Sequence, residues 1–373
     1  MNDTDGCAAR LAARESRETN EFNLLLFSET FRDFSTPLDM TKQRAFQRAL
    51  LGWYRKRGRD LPWRRTRDPY AILVSEFMLQ QTQVGTVLPY YKNWLRRFPN
   101  FTALARASEA EVLHAWQGLG YYNRARNLHT TAKLVVDRYR GRFPTAIEQM
   151  RQLPGIGKYT AHAVATFALN QSVAIVEANT ARVFARLFNL RIPIDSGPGK
   201  NSLWQYAASL VPKKSSAAYN SALLDLGALV CLPRKPKCGI CPVKTFCRAK
   251  NPRSLPIKRP RPETKQMVER HSLVIRNNKL LLAQSANRWR GMWILPPLDL
   301  SSKRNGAIYK ATFPFTNHRV TLQIFGNRER KIDSSQKRWF SFRKLDSIPI
   351  PSPHRRAIDA LLGLNVSSAH AQR

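Results

Sequence analysis

LPGIGKYTAHAVATFALNQSVAIVEANTARV, residues 153–183, decides how the rest of the chain is read. Pro154, Gly155 and Gly157 specify a tight turn, and the run from Lys158 to Leu169, small and apolar, reads as a helix. A glycine-rich turn that opens a helix offers backbone N–H groups and a positive dipole end, the requirements of a phosphate grip. Glu177 then stands just ahead of a second helical run, beside Asn179 and Thr180. A carboxylate placed there serves as a helix cap, the commoner role, or as a reacting group.

Around this stretch the pattern from Lys42 to Lys250 is helical almost throughout, with no recurring strand-like alternation. AFQRALLGWYRKRG (45–58) is one helix, ended by Gly58. RDLPWRRTRDPY (59–70) is a basic turn broken by two prolines, and two helices follow within 70–98. Two more flank Gly118–Gly120, with Ser108 and Glu111 as a capping box. Residues 251–268 hold four prolines among basic residues and read as a linker. Beyond it the pattern changes to strands, with a hairpin about Asn277–Asn278 and a closing helix in PHRRAIDALLGL. The expected division is a disordered tail over 1–40, a mainly α domain over 41–250, a linker over 251–268, a smaller α+β domain over 269–364 and a frayed tail over 365–373.

The chain has 373 residues and a formal net charge of +37. Residues 1–40 carry about −4 of that balance, so the remainder carries about +41. Such an excess calls for a polyanion, and nucleic acid fits it better than an anionic membrane, because no basic amphipathic helix has an apolar face left to insert. No run is long and apolar enough for a membrane-spanning helix. Four of five cysteines fall at Cys231-x6-Cys238-x2-Cys241-x5-Cys247. That spacing suits a metal rather than a disulfide framework and points to a reducing, cytoplasmic compartment. Basic neighbours such as Arg234, Lys237 and Arg248 are expected to favour the thiolates. Zinc and an iron–sulfur cluster both fit the spacing.

Two further groups stand out. Glu76 lies in AILVSEFMLQQ, a carboxylate inside an apolar helix, with Ile72, Gln80 and Gln83 on its face by helical spacing. Burial raises a carboxylate's pKa and makes a general acid, whereas a solvated helix face makes Glu76 an ordinary surface residue. With Glu177 it offers the two-carboxylate arrangement that cleaves glycosidic bonds. GLGYYNRARN (118–127) interleaves Tyr121 and Tyr122 with Arg124 and Arg126. Aromatics there can wedge into stacked bases while arginines meet phosphates, or the tyrosines are simply core residues at a helix start.

Together LPW (61–63), SEFMLQQTQV (75–84), GLGYYNRARNLH (118–129), LPGIGKYTA (153–161), NTARVFARL (179–187), LDLGALVC (224–231) and the cysteine series resemble the helix–hairpin–helix DNA glycosylases, and within them the MutY-type adenine DNA glycosylases. The resemblance implies a bilobed helix–hairpin–helix domain with an iron–sulfur loop, followed by an α+β Nudix-like domain. It implies a monomer that binds double-stranded DNA carrying A:8-oxoguanine or A:G mispairs, in a bacterial cell, at the nucleoid. Glu76 then matches the catalytic acid, Glu177 the carboxylate that stabilises the oxocarbenium-like sugar, and Tyr159 a residue beside that sugar, with Asn179 in the same catalytic group. Gln81 and Tyr121 match residues that wedge into the duplex. Arg124, Pro154, Gly155, Gly157 and Lys158 complete the DNA contacts, with a monovalent cation at the hairpin 153–157. Cys231, Cys238, Cys241 and Cys247 match a 4Fe-4S cluster.

RWRGMWILPPL (288–298) resembles the W-x-x-P segment of the Nudix-like domain, and no Glu-rich metal box follows it. FTNHRVTL (315–322) resembles the loop that reads 8-oxoguanine, which assigns lesion recognition to Asn317 and His318, where the family more often has Ser or Thr at position 317. Tyr159 stands where the endonuclease III group carries a Schiff-base lysine, so simple hydrolysis is expected; Lys158 is turned away by about 100°. Glu177 stands where the family usually has Asp, a reach longer by one methylene.

Overall fold

A computed structural model describes residues 39–298, 306–326 and 336–364. The expectations for residues 1–38 and 365–373 lie outside it. Its helices are α1 (Met40–Arg57), α2 (Pro69–Leu79), α3 (Val84–Arg97), α4 (Phe101–Arg106), α5 (Glu109–Ala115), α6 (Asn123–Tyr139), α7 (Ile147–Arg151), α8 (Lys158–Phe167), α9 (Ala178–Leu187), α10 (Gly197–Leu210), α11 (Ser216–Asp225) and α12 (Ser352–Leu362). Seven strands lie between α11 and α12: β1 (Lys265–Leu273), β2 (Ile275–Arg276), β3 (Lys279–Gln284), β4 (Trp293–Ile294), β5 (Tyr309–Phe315), β6 (His318–Gly326) and β7 (Lys337–Ser341). The chain forms two compact units that alternate along the sequence: Met1–Asp60 with Asn170–Arg259, and Leu61–Leu169 with Pro260–Arg373.

In the first unit α1, α9, α10 and α11 close on Phe46, Leu50, Phe184, Phe188, Tyr219 and Leu223, all almost fully buried. Asp225 at the end of α11 is fully buried and accepts from the backbone N–H (2.7 Å) and Nε (2.8 Å) of Arg59. A buried carboxylate persists only with such partners. The stretch expected to be a linker is partly tied into this unit. Arg186 Nε donates to Leu255 O (3.0 Å), Ile194 N–H to Ile257 O (3.0 Å) and Arg259 N–H to the Asp195 carboxylate (3.0 Å). Buried and edge donors claim carbonyls that prolines cannot pair among themselves, and β1 begins at Lys265, still within 251–268.

In the second unit Asp68 caps α2, accepting from Tyr70 and Ala71 N–H with Pro69 at the first helical position. Tyr70, Trp94, Phe98, Phe101 and Trp116 pack edge to face behind it. Trp94 Nε1 donates to Tyr70 Oη (3.1 Å), and Tyr70 Oη donates to Phe98 O (2.6 Å), so the buried polar handles are satisfied. The expected capping box of Ser108 and Glu111 is present at α5.

The later part of this unit has two sheets. One has the order β1-β6-β5, with β1 parallel to β6 and β5 antiparallel to it. In the other β3 pairs with β2, β4 and β7. Asn277 and Asn278 both take the left-handed conformation that a two-residue hairpin turn needs (φ 46° and 54°).

Under these sheets lies a buried histidine pair. His271 donates from Nδ1 to Leu295 O (2.6 Å), and His354 Nδ1 accepts from Leu295 N–H (3.3 Å). Their rings meet edge to face at 4.6 Å, and Trp289 packs on His354. Burial pushes both imidazoles below their ordinary 6.5, and the neighbouring Arg288 adds to it. The unfolded chain therefore binds more protons just below that value, so stability falls as pH falls from there toward the depressed folded values. The melting temperature is expected to drop between about pH 7 and about pH 5, and to drop less in His354→Gln. Equal drops in both proteins would show that the pair does not carry the dependence.

Candidate active site

In the second unit, Glu76 sits on α2 among residues 70–78, every one of them buried. It is 5 % exposed, which rules out the solvated helix face. The helix stops at Leu79, however, so Gln80 and Gln83 do not share the Glu76 face as the spacing suggested. The cause is Arg124. Its guanidinium donates to the carbonyls of Phe77 (2.9 Å), Met78 (2.9 Å), Gln80, Leu119 (3.0 Å) and Gly120 (3.2 Å), and to Thr82 Oγ1 (3.2 Å). It takes up the orphan carbonyls at the end of α2 and binds the 118–120 turn to them. The expectation that Arg124 meets DNA phosphates is therefore corrected. The side chain is buried, both of its terminal nitrogens are committed to main-chain oxygens and Thr82 Oγ1, and desolvation pulls its pKa down to about 10.

What Arg124 holds in place are the two expected wedge residues. Gln81 (φ 56°) and Tyr121 (φ 46°) both take the left-handed conformation, rare for side chains of their size. Both are exposed, Tyr121 by 45 %, whereas Tyr122 is buried. They border a cavity of about 750 Å³ whose other walls include Arg288, Trp289, Phe313, Phe315 and Thr316. Thr316, at the β5–β6 turn (φ 52°), faces this cavity, whereas Asn317 and His318 are not among its walls. The Asn317 carbonyl accepts from Lys265 N–H (2.9 Å). Sequence reading did not single out Thr316 as a residue bordering this cavity, because a register of one residue in a turn leaves no mark in composition.

The hairpin 153–157 is as expected. Gly155 is left-handed (φ 77°), and a Cβ there would lie 2.8 Å from the Asn127 side chain, so glycine is required on both counts. Thr131 Oγ1 donates to Pro154 O (3.1 Å), and Gly157 is the N-cap of α8. Gly157 and Lys158 are exposed and Tyr159 is half-buried on the first turn.

In the first unit, Glu177 is the N-cap of α9. Its Oε1 accepts from the N–H groups of Asn179 (2.7 Å) and Thr180 (2.8 Å), and its own N–H donates to Thr180 Oγ1 (2.8 Å). The carboxylate folds back onto the helix end. Burial pushes its pKa up against these hydrogen bonds. Asn179 Nδ2 reaches Glu177 Oε2 (3.3 Å), Asn179 Oδ1 accepts from Arg182 (2.9 Å), and Arg182 donates on to Gly227 O (2.7 Å) and Cys231 O (2.8 Å). A hydrogen-bonded line thus runs from Glu177 to the first cysteine. Gly227 lies in a π-helical turn, Leu226–Val230, against Asn179; an added Cβ would stand 2.6 Å from Asn179 Cβ. Gly227→Ala is expected to push the first turn of α9, displace the Glu177 carboxylate and slow any chemistry that depends on it by about a hundredfold. Single-turnover rates together with a melting curve check this, and an unchanged rate in a folded variant would refute it.

Cys231, Cys238, Cys241 and Cys247 are free thiols within one loop. Arg186 Nη1 contacts Cys231 Sγ (3.3 Å) and also donates to Leu232 O (2.7 Å). Burial raises the Cys241 thiol to about 11, with the other three sulfurs adding to it, and burial also raises Cys247, with Cys231 and Cys238 adding and Arg186 opposing. Four sulfur donors within one seventeen-residue loop are the donor set of either a zinc ion or an iron–sulfur cluster.

Comparison with known proteins agrees with this geometry. Residues 74–197 match the HhH-GPD superfamily base excision DNA repair protein profile, and residues 231–247 match the iron–sulfur binding domain of endonuclease III. The chain is 42% identical over 221 residues to an adenine DNA glycosylase of Homo sapiens, covering 57% of this chain and 40% of that one. It is 34% identical over 263 residues to an adenine DNA glycosylase of Buchnera aphidicola from Acyrthosiphon pisum, covering 69% and 75%. Among solved structures, a thermostable thymine-DNA glycosylase aligns with a TM-score of 0.51 at 33% identity, over 56% of this chain and 96% of that one. The match to the human relative thus spans less than half of that protein's length.

Proposed function

The chain belongs to the adenine DNA glycosylases of the HhH-GPD superfamily of base excision DNA repair proteins, and from that premise we propose that it releases adenine mispaired with 8-oxoguanine or guanine from double-stranded DNA. The observation that carries the reading is Glu76, a carboxylate buried on an apolar helix beside exposed wedge residues. Once the adenine is flipped out of the stack, Glu76 protonates it as the glycosidic bond breaks. The Glu177 carboxylate offsets the positive charge that grows on the sugar, with Asn179 holding its orientation. Water then adds at C1′, and Tyr159, in place of a nucleophilic lysine, leaves no amine to form a Schiff base there. The enzyme is therefore monofunctional.

Gln81 and Tyr121 enter the duplex from the turns that Arg124 organises. The N-terminus of α8 at Gly157–Lys158 takes a backbone phosphate, and a monovalent cation sits at the hairpin 153–157. Cys231, Cys238, Cys241 and Cys247 would hold a 4Fe-4S cluster, which cross-links a loop that is otherwise repulsive and keeps its basic residues toward DNA. The two-sheet part acts as a Nudix-like lesion reader through Thr316 and the cavity it borders. The protein works as a monomer in the cytoplasm, at the nucleoid.

A second reading, a thymine or uracil mismatch glycosylase, draws on the thymine-DNA glycosylase likeness. A panel of duplexes with single A:8-oxoguanine, A:G, T:G and U:G mispairs separates the two. Free adenine from the first two is expected, with no borohydride-trapped adduct. Release of thymine or uracil with adenine untouched would transfer the assignment.

A further inference from the structure

Arg288 stands in the wall of the 750 Å³ cavity, beside Phe315 and Thr316. Its guanidinium lies over the Phe315 ring at 4.3 Å and near the Trp289 ring at 5.3 Å, so its faces are covered. Nη1 lies 3.1 Å from the Glu269 carboxylate as an ion pair without a hydrogen bond, and Nη2 donates to Met267 Sδ (2.9 Å), a weak acceptor. Nη1 is buried and has no hydrogen-bond acceptor among the described residues. The side chain is only 15% exposed and Glu269 only 23%. A planar donor fork is therefore packed against aromatic rings beside a carboxylate, with a donor to spare, in the wall of a cavity large enough to admit a nucleobase. A donor left in that state costs free energy until an acceptor arrives.

The acceptor is the edge of a base rather than a phosphate. Glu269 offsets the charge of Arg288, which weakens pull on a bare phosphate and leaves the directionality of the fork intact. The same cavity is walled by aromatic side chains, Tyr121 among them at 45% exposure, which offers a face to a flat ring. Arginine pairs in bidentate fashion with O6 and N7 of guanine. In 8-oxoguanine N7 carries a hydrogen, so the fork meets a donor there and keeps O6 alone. Resting on the mispair reading above, we propose that Arg288 is a specificity-determining residue that reads the O6/N7 edge of the purine opposite the target adenine and favours guanine over its 8-oxo form. The chain then discriminates less sharply against A:G than the cavity would without Arg288.

The test is equilibrium binding of Glu76→Gln protein, which keeps excision out of the readout, to A:8-oxoguanine, A:G and fully paired duplexes. In Arg288→Leu the preference for A:8-oxoguanine over A:G is expected to rise about tenfold, through weaker A:G binding. Arg288→Lys, which keeps the charge for Glu269 without the fork, is expected to show the same rise with an unchanged melting temperature. An unchanged or reversed ratio overturns the proposal. So does an equal loss on all duplexes with a shallower salt dependence, the mark of a phosphate contact. If neither mispair binds better than paired DNA, the mispair reading itself fails and takes the assignment with it.

Discussion

Replacing Glu76 with Gln is expected to slow adenine release by about 10²–10⁴-fold, the range for loss of a positioned general acid, with mispair binding retained. The substitution is nearly isosteric, and position 76 is 5% exposed on a helix whose neighbours are all buried. An amide therefore fits the site without opening a cavity, and the lost function is the proton alone. The effect should appear in the single-turnover rate and not in the dissociation constant, because protonation of the leaving base is made only in the transition state. A Gln variant within threefold or so of the parent rate would assign the proton to another group.

Arg124→Met carries the second large effect, and it falls on stability. Six hydrogen bonds leave at once, and the carbonyls of Phe77, Met78, Gln80, Leu119 and Gly120 lose their shared donor in a buried setting. Stranding that set costs about 3–5 kcal/mol, well above the usual point mutation. Gln81 and Tyr121, which sit in left-handed conformations at the two turns, should relax, so excision falls even where the variant folds. Arg124→Lys restores one charge with three donors and no planar fork, and should recover only part of the loss. Urea unfolding measures it. A midpoint shift worth under about 1 kcal/mol would mean that the turns stand without Arg124.

The features legible from the sequence were those with local causes. The 153–157 hairpin needs its glycines, the Asn277–Asn278 turn needs residues that tolerate positive φ, and the four cysteines lie within one loop. Features with distant causes were not legible. No Gly or Pro marks the end of α2 at Leu79, because Arg124, more than forty residues away, collects the carbonyls there. Arg124 read as a DNA contact for the same reason: a basic residue among aromatics looks alike whether it faces phosphate or main chain. Thr316 rather than Asn317 borders the cavity through turn geometry alone. The interleaving of two units, with crossings after Asp60, Leu169 and Arg259, is also invisible to a reading that assumes domains are continuous. Glu177 was open to both of its roles, and the structure shows that capping comes first: the carboxylate is held by the helix it opens, in a position where its charge still faces the cost of burial.

That dual role makes Glu177 the point on which the proposed function turns. Free adenine should be measured from a duplex with A opposite 8-oxoguanine under single-turnover conditions, for the parent chain and for Glu177→Asp. The expected result is adenine release by the parent chain itself. A parent chain that binds the mispair and leaves every adenine in place, while Glu177→Asp restores release, would contradict it.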